Sequence, residues 1–344
     1  MSAAAPFVMA GSIVEPGHRG RVAIATGSLI SGAPIALDVH VMHGRTVGPA
    51  VWISAAVHGD EILGVEIIRR VLSLLKPRQM AGTVVALPIV NVHGFNTGDR
   101  NLPDRRDLNR SFPGSVRGSF AGRLAHTFME HIVAPCEIGL DLHTGALGRS
   151  NLPQVRADLS DPRTLELAEV FGAPVAIASS LRDGSLRQVA TERGKTVLLF
   201  EGGEALRFDN HAIEVGTAGV LRVLKHVGVY TGEVEAGVAP AISPRSSWVR
   251  TTRSGVVHTT EPLGAWVTKG QVVGRVYNPS GTLLSSMKSR HDGVVIGLAQ
   301  HPLLNRGEAV CHIAEMDSTP REVRAALASV PDTHDHQPSD EVQS

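Results

Sequence analysis

Between about residues 48 and 230, continuous apolar runs alternate with stretches whose apolar residues recur at helical intervals. Val51 to Val57 is one such run, β-branched and of strand length. Directly after it Ile62, Val65, Ile68, Leu72 and Leu75 follow helical spacing, so a helix is predicted over about 61–75, ended by Lys76-Pro77. The same reading predicts strands over 84–90, 138–143, 153–158, 174–179 and 197–200, and helices over 119–134, 161–171, 185–193 and 209–227. Together they predict an α/β domain with a mostly parallel mixed sheet flanked by helices over 48–230, and residues 1–47 supply its entry strands.

Two regions depart from this pattern. From about 91 to 118 the chain has neither period, yet Phe95, Leu102, Leu108 and Phe112 anchor it, so it is read as an ordered binding loop. Past about 230 helical spacing gives way to short strands with Gly and Pro turns. Gly255 to Val273 and Gly293 to Val310 each read as strand, turn, strand, a weak two-fold repeat that predicts a small all-β barrel or sandwich over 231–314. Residues 315–344 are polar and proline-bearing and are predicted to be a disordered tail, in which His334 and His336 are solvated.

Composition narrows the class. Thirty-three basic residues balance thirty-three acidic ones, which gives no field for nucleic acid or an anionic membrane as partner. No stretch approaches the roughly 18 apolar residues of a membrane span, and the apolar start from Met1 to Ala10 lacks the basic residues of a secretory signal. Cys136 and Cys311, the two cysteines, form no disulfide framework. A soluble cytoplasmic protein acting on a small molecule is expected, with homo-oligomerisation left open.

Candidate chemistry sits at strand ends, where α/β sheets bind ligands. His58-Gly59-Asp60-Glu61 occupies a strand-to-helix turn, and an imidazole three residues from a carboxylate suits a divalent ion. The plainer alternative is that Asp60 caps the helix and His58 is a polar strand end. His143 and Glu201 close two further strands. His58, Glu61 and His143 would make a three-ligand zinc site with its fourth position open, and Glu201 would be the general base. Asp141, two residues before His143 on the same strand face, would either orient that imidazole or make an ordinary buried hydrogen bond. In the loop, Arg100 is placed to stabilise an oxyanion, and Asn109 with Arg110 to hold a substrate carboxylate. His126 and His131 on the predicted helix are read as surface or satisfied core groups, and Arg105 and Arg106 in the loop as surface charge.

Three motifs in this order, His58-Gly59-Asp60-Glu61, Asp107-Leu108-Asn109-Arg110-Ser111-Phe112-Pro113-Gly114 and Asp141-Leu142-His143-Thr144-Gly145, resemble the succinylglutamate desuccinylase/aspartoacylase family, a branch of the zinc-carboxypeptidase-like hydrolases. The resemblance covers about residues 48–227. It implies one zinc ion on His58, Glu61 and His143, a catalytic carboxylate at Glu201, and substrate or transition-state roles for Arg100, Asn109 and Arg110. It implies an amidohydrolase that removes an acyl group from an amino acid or related amine. The interval from Arg100 to Asn109 is longer than in the aspartoacylase branch.

Two other readings compete: a zinc carboxypeptidase acting on peptides, and a zinc-containing binding protein without turnover. No residue marks a pocket for a C-terminal side chain, and a binding site has no need of a base such as Glu201. Met287-Lys288-Ser289 matches the Met-Lys pair of a biotin-attachment hairpin. Only Ser289-Arg290-His291 separate Lys288 from Asp292-Gly293, which leaves little room for a return strand, so Lys288 is read as unmodified.

Overall fold

A computed structural model describes residues 2–317 and 319–328. A short hairpin (β1, Phe7–Met9; β2, Ser12–Val14) leads to β3 (Arg19–Ser28), β4 (Pro34–His43), β5 (Thr46–Ala55), α1 (Leu63–Leu74), β6 (Ala81–Leu87) and a short α2 (Val92–Thr97). Then come α3 (Phe120–Phe128), β7 (Ile138–Gly145), β8 (Arg149–Ala157), α4 (Pro162–Phe171), β9 (Val175–Ala178), α5 (Leu186–Glu192), β10 (Thr196–Glu204) and α6 (Asn210–His226). The strand order is β8-β10-β7-β5-β6-β4-β3. β10, β7, β5 and β6 run parallel, and the strands beyond them, β8 on one side and β4 on the other, are antiparallel to their neighbours. Four parallel strands at the centre therefore aim their carboxyl ends the same way.

Side-chain alternation along those strands builds two cores. Val51, Ile53, Leu140 and Leu142 face α1, α4 and α6, where Ile67, Phe171 and Val220 are buried against them. Trp52 faces the other way, with Leu124 and Phe128 of α3 and Val189 of α5. Burying each such side chain is worth about 1.5–3 kcal/mol. Because Leu140 and Leu142 belong to the first core, Asp141 and His143 point to the opposite face. The loop predicted over 91–118 contains α2 and a 3-10 turn at Leu108–Arg110.

The C-terminal strands are β11 (Ala241–Ser243), β12 (Ser246–Arg250), β13 (Gly255–Thr259), β14 (Trp266–Val267), β15 (Val272–Tyr277), β16 (Leu283–Lys288), β17 (Gly293–Ala299), β18 (Leu303–Leu304) and β19 (Ala309–Glu315). The sequence repeat has a structural counterpart. β13-β14-β15 and β17-β18-β19 are equivalent triplets that exchange their middle strands, β14 pairing with β17 and β18 with β13. They form two layers around Val257, Val276, Val295 and Ile313. One layer is not separate from the main sheet: β17 pairs with β8 through Gly297–Asn151, Leu298–Ser150 and Ala299–Arg149. Hydrogen bonding thus runs unbroken from the α/β region into the β region.

Within the segment expected to lack order, Pro320–Leu327 form a helix, α7. Its start has a proline in the first turn and a reciprocal capping box between Thr319 and Glu322, and Val323 and Ala326 are buried against the β region. His334 and His336 lie outside the described residues. Lys288 is an exposed residue paired with Val272 within a strand.

Candidate metal centre and active site

The turn after β5 is built by strain and close approach. Ala56 adopts a left-handed backbone (φ 49°), a region that costs a non-glycine residue energy and reverses the chain's direction. Its carbonyl, with that of Ala55, accepts from Asn91 and Val90, which ties the turn to the segment after β6. Gly59 then lies against α2, where an added Cβ would stand 2.1 Å from the Gly94 carbonyl carbon and 2.3 Å from the Phe95 nitrogen. Only a residue without a side chain fits there. Gly59→Ala is expected to cost about 1–3 kcal/mol of stability, because backbone must shift, and to weaken metal binding through displaced neighbours His58 and Glu61. Chemical denaturation and a zinc titration would check this, and wild-type values in both would refute it.

Asp60 does not cap α1. That helix begins at Leu63, with Ile62 preceding it and no side-chain cap. Asp60 is buried with Oδ1 unpaired, and burial, then Glu61, raises its carboxyl above the ordinary range.

His58, Glu61 and His143 are buried together, with one ligand atom from each lying within 4.8 Å of the others. His58 Nδ1 is 2.7 Å from Glu61 Oε1, and His143 Nδ1 is 2.7 Å from Glu61 Oε2. The two rings stand 5.0 Å apart between centroids. Each far nitrogen meets another carboxylate: His58 Nε2 lies 3.1 Å from Asp107 Oδ1, and His143 Nε2 lies 2.9 Å from Asp141 Oδ2. Asp141 is held in turn by Ser54, whose hydroxyl donates to Oδ1 at 2.7 Å across the β5–β7 register. The Thr144 amide donates to Glu61 Oε2 at 3.1 Å.

Electrostatics follow from this crowding. Burial alone would lower the His143 imidazole, but Asp141 and Glu61 outweigh it and hold it well above its ordinary value. His58 is likewise raised against burial by Glu61 and Asp107. Glu61 goes the other way: burial would raise it, and the two imidazoles hold it well below. Asp107 is lowered against burial by His58 and Arg100.

The donor set fits a divalent ion. If His143 donates its Nε2 proton to Asp141, its Nδ1 lone pair faces a carboxylate oxygen at 2.7 Å, an acceptor against an acceptor. A cation must stand between them, either a proton or a metal. Two imidazoles and a carboxylate with carboxylates behind the rings are suited to zinc.

The loop closes over this cluster. Asn91 caps α2 by accepting from the Gly94 amide and donates from Nδ2 to the Arg100 carbonyl, and Gly98 ends α2 in a left-handed conformation. Arg100 is thereby held beside the cluster, its Nη1 2.9 Å from Glu61 Oε1 and its Nη2 2.9 Å from His58 Nε2. Asn109 accepts from the Leu186 amide at 2.9 Å, so its amide nitrogen is the group left for the cleft that it lines with Arg110. Glu201 pairs with His143 in the β10–β7 register and opens onto the same cleft. Its Oε2 accepts from Asn151 Nδ2, and its Oε1 is 3.4 Å from Arg156 Nε.

Sequence reasoning missed several residues here. Asp107 was read only as part of a motif. Arg149, Arg156, Arg182, Arg187 and, from β12, Trp248 also line the cleft. Arg149 and Arg156 follow His143 on the next strand, the one signal that could have placed them.

Buried ligand-type side chains gathered at the carboxyl tips of parallel strands define a class: α/β proteins whose cleft holds side chains able to bind a divalent cation. The sequence profile of the succinylglutamate desuccinylase/aspartoacylase catalytic domain matches residues 47–227. The chain belongs to that family, whose members are deacylases, hydrolases that act on amides. It is 31% identical over 286 residues, 79% of this chain and 84% of the other, to the N-alpha-acetyl-L-2,4-diaminobutyric acid deacetylase of Halomonas elongata. A succinylglutamate desuccinylase/aspartoacylase of Rhodobacter sphaeroides superposes with a TM-score of 0.78 at 30% identity, over 87% of this chain and 95% of the other. The product-bound ectoine utilization protein of Ruegeria pomeroyi shares the fold at 22% identity, with a TM-score of 0.80 over 91% and 98% of the two chains.

Proposed function

We propose that the chain is a zinc-dependent amidohydrolase that cleaves the amide of an N-acyl amino acid or related N-acyl amine, with one ion held by His58, Glu61 and His143. The observation that carries this reading is the convergence of two imidazoles on one buried carboxylate, each imidazole backed by a further carboxylate, in a cleft shared with Glu201. The bound ion supplies Lewis-acid activation of water and of the amide carbonyl. Asp141 and Asp107 orient the two rings through their Nε2 atoms. Glu201 takes the attacking water's proton and passes it to the leaving amine. Arg100 stabilises negative charge developing on the amide oxygen, and Asn109 with Arg110 binds the substrate carboxylate. The deacetylase relative, named for an N-acetylated amino acid, supports this choice of substrate.

A screen of N-acetyl, N-succinyl and N-formyl amino acids beside short peptides tests the reading. Release of the free amino acid from at least one acylated substrate is expected, with peptides cleaved more slowly or not at all. Peptide cleavage faster than any deacylation would replace the reading with a carboxypeptidase, and no turnover on either set would remove it.

A further inference from the structure

A break in strand register lies directly after Glu201. Glu201 stands opposite Gln154, whereas Gly203, two residues on, stands opposite Asn151, three residues away from Gln154 on β8. Residues three apart on a regular strand face opposite sides of the sheet. The extra residue on β8 cancels that alternation and turns Asn151 onto the side of Glu201, where both line the cleft. Gly203 takes up the mismatch in a left-handed backbone, φ 69°.

Asn151 is buried, and its Nδ2 donates to Glu201 Oε2. An ionised carboxylate only accepts, so the nitrogen end of the amide must face it. Among the described residues no other hydrogen bond reaches this carboxylate: Arg156 Nε, 3.4 Å from Oε1, lies outside hydrogen-bonding geometry. One oxygen of Glu201 is therefore tied down, and the other is left to accept a proton.

The opposite end of the amide meets the β region. Asn151 pairs with Gly297 of β17, and a Cβ at that glycine would stand 3.0 Å from Asn151 Oδ1, 3.1 Å from His312 Cβ and 3.5 Å from Trp248 Cη2. His312 and Trp248 are stacked, with ring centroids 4.2 Å apart. A methyl group at 297 would be wedged between that stack and the amide, so the amide would have to yield. Bare backbone at Gly297 is what lets Asn151 sit with its nitrogen on Glu201.

We propose that Asn151 is a positioning residue for the reaction: it fixes which oxygen of Glu201 meets the attacking water, and Gly297 of the β region holds it in place. This rests on the base assigned to Glu201 above. A base whose free oxygen is already aimed needs no reorientation before the proton moves.

Steady-state kinetics of zinc-loaded N151A, N151D and G297A test the assignment, on the best substrate from the screen of N-acetyl, N-succinyl and N-formyl amino acids. N151A should lower kcat about 10- to 100-fold, with KM changed by less than about twofold and one zinc retained. N151D keeps the shape and loses the donor, so it should fall at least as far, and G297A should lose about threefold. In an E201Q background N151A should change the residual rate by less than about twofold, because the group it orients no longer takes a proton. A purely structural role would give the same fall in both backgrounds. That result, or wild-type kcat in N151A and N151D, overturns the proposal, and wild-type kcat in E201Q removes the base assignment along with it. Should no substrate be cleaved, the deacylase reading fails, and crystal structures of the wild type and N151A judge the orienting contact by itself. A Glu201 carboxylate swung away in N151A sustains the contact, and an unmoved one refutes it.

Discussion

Glu201→Gln is expected to lower kcat by about 10³-fold while the protein keeps one zinc per chain and its thermal stability. The reasoning is local. Gln keeps the shape of the side chain and can still offer its one oxygen to Asn151, the hydrogen-bond donor to the wild-type carboxylate. What it removes is the ability to take a proton. Glu201 is not among the residues whose donor atoms converge, so the metal should stay. Single-turnover kinetics with metal analysis on the same sample separate the two effects. Wild-type kcat would remove the base assignment, and loss of zinc would place Glu201 in the ligand set.

His143→Ala should lose both metal and activity, and it should also be the less stable variant. Asp141 and Glu61 both face this imidazole from within the core. Without it Asp141 keeps only the neutral Ser54 hydroxyl and Glu61 Oε2 only the Thr144 amide, so buried negative charge is under-compensated across a cavity, a situation that costs about 3–5 kcal/mol. Circular dichroism would show whether the fold persists, and denaturant titration would read the cost. A folded variant with stoichiometric zinc would contradict the proposed ligands.

How much of this was legible in the chain depends on the range of the interaction involved. The α/β alternation is a local signal, and the helices at 161–171 and 209–227 agree with α4 and α6 to within a residue. The meeting of His58, Glu61 and His143 was readable because the first two follow one strand of the parallel set and His143 stands near the end of the next, and parallel strands bring their ends to one edge. Asp107 is different. It reaches His58 only because the loop folds back through Asn91, Gly59 and Arg100, contacts that no period encodes. The pairing of β17 with β8 joins residues 297–299 to 149–151, and nothing along the chain marks such a distant register. That pairing brings the β region beside the cleft, so Trp248 was hidden for the same reason. In α7 the polar composition suggested disorder, and the capping box at Thr319 and Glu322 was the overlooked signal.

Anomalous diffraction at the zinc edge, from crystals of the zinc-loaded protein, tests the central claim most directly. One peak is expected, about 2.0–2.2 Å from the Nδ1 atoms of His58 and His143 and from a Glu61 oxygen. A zinc peak held by other side chains, or none at this cluster, would contradict it.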